Sequence, residues 1–338
     1  MFDYTIYGLK LRSDIEFLQL VPDDSDKEPD IFITAGEIPA DILAHDEEST
    51  CDFGENRSWL INRTMRMVIT NGNTITYSLK PGKNEIYLRA YILGYGLSML
   101  CLQRGIMTIH CSALVIDGKA YLIAGESGSG KSTITGILLK DNNLFLADDV
   151  TAVAPDSTGT VYVQPAFPYQ KLCRDAALNQ GHALDELIYV DEDKDKFLVP
   201  CKDIFCHDKM PLGGLIYLFV HKGDNVEYRD LNGLENFHIV ANNLFLRHLL
   251  GKRKYEPAIG QKCLELAAGI KACCIGRPQC KDSLDDMPSL RSSACSFLSF
   301  SSRCFRVRTS CLMENWSPRV RDSSSMPEVI SSIWSSMK

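Results

Sequence analysis

Ala120-Tyr-Leu-Ile-Ala-Gly-Glu-Ser-Gly-Ser-Gly-Lys-Ser-Thr133 reads as an apolar strand, a glycine-rich turn and the opening of a helix. Gly125 to Ser132 fits G-x-x-x-x-G-K-[ST] without a mismatch. Each residue type has a physical task. Gly125, Gly128 and Gly130 admit backbone conformations that a Cβ forbids. The loop, with Ser127, Ser129 and Thr133, can then turn successive N–H groups inward as a nest for phosphate oxygens. Lys131 adds a point charge for the outer phosphates, and Ser132 offers a hydroxyl to Mg²⁺. Ser132 to Lys140 is apolar at helical spacing, so a helix N-terminus faces the anion. A glycine loop matching by chance would lack the flanking strand and helix. The expectation is a nucleoside triphosphate site with Mg²⁺.

Working outward, Leu144-Phe-Leu-Ala147 is a short strand that runs into Asp148-Asp149, and Val150 to Val153 continues extended. Two carboxylates at a strand end, one strand–helix–strand unit past the loop, stand where phosphoryl-transfer proteins keep their metal and catalytic acids. Neighbouring strand residues point to opposite faces, so either the two acids divide the work or the backbone bends there. Beside a triphosphate they would repel it without Mg²⁺. On the other side, Thr108 to Ile116 reads as one strand, turned back by Asp117-Gly118 into Ala120–Ala124. His110 lies on that strand, beside the nucleotide site, as either a functional or a core histidine.

The chain has 338 residues, which sets a prior of about two domains, and 45% apolar residues, enough for a sizeable core. A net charge of −7 argues against a broad nucleic-acid or anionic-membrane surface. The first residues lack signal-peptide character, and the apolar run Ala90–Leu102 is too short to span a bilayer. The expected address is cytoplasmic, with neither nucleic acid nor membrane as partner. Among the thirteen cysteines, Cys101, Cys111 and Cys173 stand singly, and Cys201 and Cys206 lack zinc spacing, so reduced thiols are expected.

Residues 1–84 read as a β-rich N-terminal domain, with an Asn71-Gly72 hairpin and no acid–base pair. Asn84 to Gly105 reads as a helix with a tyrosine stripe and a glycine C-cap. Tyr169 to Asp175 reads as a short helix, whose Lys171 and Arg174 are either contacts for phosphate or an acidic substrate, or solvated surface. Asp191 to Lys196 fails the calcium-loop pattern and reads as a solvated turn. Gly213–Val220 and Val226–Arg229 read as strands, and Gly233–Leu250 as a helix. The basic turn Gly251–Lys254 either closes over the triphosphate or caps a helix. From Cys273 serine and cysteine become frequent, and Phe297-Leu-Ser-Phe300 looks isolated. Residues 291–338 read as a Ser/Cys-rich tail, either a poorly ordered extension or sequence foreign to the fold. Residues 85–290 then form the nucleotide-binding domain.

His110-Cys-Ser-Ala, Gly125-Glu-Ser-Gly-Ser-Gly-Lys-Ser-Thr133 and Leu146-Ala-Asp-Asp149, in this order and spacing, resemble the HPr serine kinase/phosphorylase family. Tyr7-Gly-Leu-Lys-Leu-Arg-Ser13 and Gln164-Pro-Ala-Phe-Pro-Tyr-Gln-Lys-Leu172 are more similar to its stand-alone HPr-kinase-like members, some from clusters that make ribosomal peptides such as lasso peptides. The resemblance implies an α/β fold akin to HPr kinase and PEP carboxykinase, a mixed sheet with helices. It implies transfer of the γ-phosphoryl group of ATP to a serine of a peptide or protein, with Asp148 taking the hydroxyl proton. Ser132 and Asp149 would surround Mg²⁺, His110 would tune or orient the acids, and Lys131 would assist transfer. Family kinases often form homo-oligomers. Cys201 to Met210 departs from the bifunctional enzymes, which speaks against phosphorylase activity and against HPr as acceptor. The rival expectations are a small-molecule kinase on the same scaffold and a non-catalytic ATP-binding regulatory protein.

Overall fold

Alternating β-branched and aromatic residues in the first eighty positions build one twisted sheet. Its strands are β1 (Phe2–Ile6), β2 (Leu9–Ser13), β3 (Val21–Pro22), β4 (Ile31–Ala35), β5 (Thr50–Asp52), β6 (Arg57–Ile61), β7 (Met65–Thr70) and β8 (Thr74–Leu79). Their order is β3-β1-β2-β4-β8-β7-β6-β5. Tyr7-Gly8 has positive φ at both positions, the two-residue turn that suits the strand twist; Asn71 and Gly72 also have positive φ, in a three-residue loop between β7 and β8. The computed structural model describes residues 1–46, 49–191, 195–279 and 287–301, all within one compact unit, Met1–Arg303.

After the short helix α1 (Ala40–Leu43) in the first sheet, the connection to the second part is helical: α2 (Glu85–Tyr91), a π-helical turn Ile92–Gly96, and α3 (Leu97–Gln103). Asn84 caps the start by accepting from the Ile86 N–H. At the far end Gly105 has φ 79°. Its N–H donates to the Leu102 carbonyl and that of Ile106 to the Cys101 carbonyl, the expected glycine stop.

The central sheet contains β9 (Met107–Ile109), β10 (Cys111–Ile116), β11 (Lys119–Gly125), β12 (Leu144–Ala147), β13 (Thr151–Pro155) and β14 (Val161–Val163). A separate three-stranded sheet follows, of β15 (Tyr169–Cys173), β16 (Ile188–Asp191) and β17 (Lys196–Pro200), in the order β15-β17-β16. The chain then returns to the central sheet as β18 (Met210–His221), β19 (Glu227–Leu231) and β20 (Ala272–Pro278). The central order is β12-β10-β11-β18-β14-β13-β9, and β20 joins β18 to β19. β11, β18 and β20 run parallel, and the other pairs are antiparallel. Both sheets and the helices make a mixed α/β fold. The helices of this half are α4 (Lys131–Leu139), α5 (Arg174–Asn179), α6 (Leu234–Asn242), α7 (Arg247–Leu250), α8 (Pro257–Gly269) and α9 (Met287–Ser301).

Several expectations need correction. Thr108 to Ile116 is two strands, not one. His110 sits at the break, where β9 pairs with β13 while β10 pairs with β11 and β12. Its N–H donates to the Asn243 carbonyl instead of to a sheet ladder. Tyr169 to Cys173 is a strand, because its backbone finds a full antiparallel partner in β17, and the helix starts only at Arg174. The helix expected over Gly233–Leu250 breaks after Asn242, where Phe245 donates to the Thr108 carbonyl. In the basic turn, Arg253 binds Asp52 and the Phe53 carbonyl of the first sheet. The sequence after Cys273 is not all tail. Cys273 and Cys274 are buried in β20, and Phe297 is buried against Tyr121, centroids 6.4 Å apart. Residues 302–338, and 192–194 of the acidic turn, lie outside the described residues. All ten cysteines among the described residues are free thiols.

Candidate functional site

β11 delivers the glycine loop and α4 carries it away. Gly125 has φ 147°, and a Cβ there would lie 2.3 Å from the Leu218 carbonyl oxygen of the neighbouring strand. Gly128 and Gly130 have φ 78° and 100° with open space around them, so conformation and not crowding demands glycine there. No side chain caps the start of α4. The first-turn N–H groups of Lys131, Ser132 and Thr133 therefore have no acceptor within the helix. Ser127 is exposed in the turn, while Ser129 is buried with its hydroxyl unpartnered. The Lys131 ammonium donates to the Gly125 and Glu126 carbonyls at 2.7 and 2.9 Å. Burial pulls its pKa down, and the nearby Asp148 and Asp149 charges oppose that. Arg277, at the end of β20, donates to the Gly128 carbonyl at 2.7 Å.

The acid pair stands across β10 from this loop. Cys111 is in register with Ala124, and Ala113 with Ala147. The carboxyl ends of β11 and β12 thus flank the start of β10. At Asp149 the backbone bends: its φ is 67°, and the Val150 N–H donates to the Asp148 carbonyl at 2.8 Å. This is a three-residue γ-turn with positive φ, a strained form.

Both carboxylates are held by named partners. Asp148 accepts from the Ser112 hydroxyl at 2.5 Å and from the Lys171 N–H at 2.8 Å. Asp149 lies 3.6 Å from the Lys171 ammonium and 3.4 Å from His110 Nδ1. The same Nδ1 is 2.9 Å from the Asp149 carbonyl, so the ring donates from Nδ1 and braces the bend. Burial pushes the Asp148 pKa above the usual carboxylate range. The Ser112 hydrogen bond works against that rise, and the Asp149 charge adds to it.

The structure therefore brings His110, Lys131, Asp148 and Asp149 into one neighbourhood, with Lys131 sensing both carboxylates. Ser132 opens α4 next to Lys131, its side chain half-buried. Lys171 belongs to the acid site, whereas Arg174 is spent on Asp195 at 2.6 Å. The uncapped helix start, the unpartnered Ser129 hydroxyl and the inward ammonium fit a polyphosphate. Among the described residues, no three His, Cys, Asp or Glu side chains form a cluster able to hold a metal by themselves. Ser132 and the acid pair are the groups that could hold one jointly with phosphate oxygens.

Four contributors escaped the sequence argument. Ser112 had a usable signal, since it stands two residues from His110 on the same approach to the acids. Lys196, whose charge acts on Asp148 and Lys131, and Arg277 had none, being distant in sequence. Tyr7 was quoted only as part of a motif. Its hydroxyl donates to the Val150 carbonyl at 3.3 Å, directly behind the acid turn.

No protein-family model matches the chain, and no curated protein sequence matches it. Among solved structures, it is similar to the Hpr(Ser) kinase/phosphatase from Coxiella burnetii, at 16% identity and a TM-score of 0.28. That match covers 56% of this chain and 98% of the other.

Proposed function

We propose that the protein is an ATP-dependent kinase that transfers the γ-phosphoryl group to a serine hydroxyl of a peptide or protein. One observation carries this reading: the Lys131 ammonium at an uncapped helix start lies within electrostatic reach of a half-buried carboxyl, Asp148, and its neighbour Asp149. Phosphoryl transfer asks mainly for positioning and charge neutralisation, and these groups supply both. When bound, ATP with Mg²⁺ supplies the phosphoryl group and the leaving nucleotide.

The chain's own residues then have distinct tasks. The loop amides from Gly125 to Thr133 hold phosphate oxygens, and Lys131 leaves the loop carbonyls to neutralise the outer phosphates. Ser132 and Asp149 would hold the metal. Asp148 would take the proton of the acceptor hydroxyl while that oxygen bonds to the γ-phosphorus and the bond from the γ-phosphorus to the bridging oxygen breaks, ADP leaving. Its raised pKa makes it a stronger base than an exposed carboxylate. Ser112 and the Lys171 N–H fix its orientation, and His110 keeps the bend that turns Asp149 toward the site.

The test is ATP binding by calorimetry together with label transfer from γ-labelled ATP to serine peptides. Lys131→Ala is expected to abolish transfer with the fold intact by circular dichroism. Asp148→Asn is expected to keep ATP affinity and lose about 10²–10⁴-fold in rate. Full activity in Asp148→Asn would remove the base assignment. Absence of ATP binding in the unaltered protein would remove the kinase reading altogether.

A further inference from the structure

A cleft of about 280 Å³ opens from the acid turn toward solvent. Asp148, Asp149 and Lys171 line its inner end. Leu18 of the loop between β2 and β3, Ile86 of α2, and Ile188 and Tyr189 of β16 line its exposed mouth. These four are large apolar residues left in water; Leu18 is 62% exposed and Ile86 41%. Scattered apolar surface residues need no explanation, but four around one cleft beside a reactive carboxyl mark a binding surface.

The mouth is built rather than loose. Phe17 and Leu20, on either side of Leu18, are buried. The Phe17 N–H donates to the Tyr4 hydroxyl at 2.9 Å, and Arg89 of α2 donates to the Glu16 carbonyl at 2.7 Å. Leu18 is thereby held out over the cleft. Another wall, β16, lies beside α2 and is an edge strand of its three-stranded sheet, and an edge strand can take an extended peptide by backbone pairing.

We infer that this cleft is the acceptor site and that it takes an extended peptide segment whose serine is flanked by apolar side chains. The inference rests on the kinase reading above. Glu16, Gln19 and Arg89 also line the cleft and could meet a small polyol, but a polyol placed against Asp148 would leave the four apolar residues wet. A chain crossing the mouth covers them while its serine reaches the carboxyl. The loop between β2 and β3 of the N-terminal sheet then serves as one wall of the acceptor site.

The experiment uses the full chain and three fluorescein-labelled serine peptides, with Leu-Ser-Leu, Asp-Ser-Asp or Lys-Ser-Lys at the centre. Binding is read by anisotropy without ATP, and transfer is read with γ-labelled ATP. The Leu-Ser-Leu peptide is expected to bind about tenfold tighter than either charged one, the value of burying roughly one large apolar side chain. Leu18→Asp combined with Ile86→Glu is expected to erase that preference and leave ATP affinity unchanged. Both positions are exposed, and an acid suits the first turn of α2, so the variant should fold. Equal binding of the three peptides, or a variant that keeps the preference, overturns the inference, as does faster labelling of free serine or glycerol than of any peptide. Selective binding with no label transferred to any acceptor would instead overturn the kinase reading and leave a peptide groove.

Discussion

At the scale of single residues the acid pair shows where strain and charge are concentrated. A non-glycine residue at positive φ costs of order 1 kcal/mol or more, and Asp149 keeps such a conformation at 67°. The return is geometric: the bend lets both carboxylates converge on Lys171, one through its N–H and one through its ammonium. The sequence posed this as two alternatives, divided labour or a bent backbone. It had no means to choose, because the brace comes from His110, thirty-nine positions upstream. Asp148 also carries a stability cost. Burial holds its pKa above that of the unfolded chain, so the folded state binds the proton more tightly. Folding is therefore unpenalised below the unfolded carboxylate pKa, near ~3.9, and loses stability as pH rises through the folded value. Asp148→Asn removes that loss. Its Oδ1 still accepts from the Lys171 N–H, and its Nδ2 can donate to the Ser112 hydroxyl. Thermal melts across a pH series should show the variant melting above the unaltered protein at pH 8. The gap should vanish at acidic pH. A variant that melts lower at pH 8 would contradict the burial argument.

At the scale of elements, what was legible depended on how local the causes are. The Asp117-Gly118 turn was read correctly, since φ values of 54° and 71° are what that dipeptide favours. The strand–loop–helix run from Lys119 to Leu139 was likewise legible, because its glycines, lysine and apolar spacing lie within twenty-odd residues. The π-helical turn at Ile92–Gly96 was not. There Gly94 and Gly96 face the Phe245 ring and Met67, partners supplied by distant segments. β20 was missed for a similar reason: Ala272-Cys-Cys-Ile-Gly-Arg-Pro278 has few β-branched residues, and its strand character comes from pairing with β18 and β19. A prediction follows from the loop's entry. In Gly125→Ala the new methyl group would collide with a backbone carbonyl of β18, which cannot swing aside. The variant should lose roughly 2 kcal/mol or more of stability, as expected when a Cβ is forced into a forbidden site. On the kinase reading, ATP affinity should fall with it. Gly130→Ala, strained in φ but unobstructed, should be milder. Denaturant midpoints and calorimetry on both variants check the ranking; equal losses would mean that the contact with Leu218 is not what demands glycine.

For the whole molecule, the central point is that the N-terminal sheet and the candidate site share one interior. A continuous apolar core joins Tyr4, Ile6 and Ile75 to Leu97, Ile109, Leu122 and Cys274. Arg253, from the far half of the chain, ties down Asp52 and Phe53. The composition shift near residue 84 marks a change of layer, but it could not report this shared core, because burial against a distant sheet leaves no local pattern. The junction bears on chemistry through Tyr7. Its N–H donates to the Pro165 carbonyl at 2.9 Å, its hydroxyl donates to the Val150 carbonyl, and the ring is buried. The first hairpin of the sheet thus holds the segment that follows the strained Asp149. Tyr7→Phe keeps the ring and removes only that donor, at a stability cost of about 1 kcal/mol. On the kinase reading, if the hairpin positions the acid turn, acceptor turnover should drop several-fold while ATP affinity is unchanged, since the glycine loop is held by β11 and β18 instead. The pH profile of turnover should shift as well, because Asp149 and Asp148 would alter their mutual distance. A purely structural role would lower the melting temperature and leave both the pH profile and turnover per folded molecule where they were.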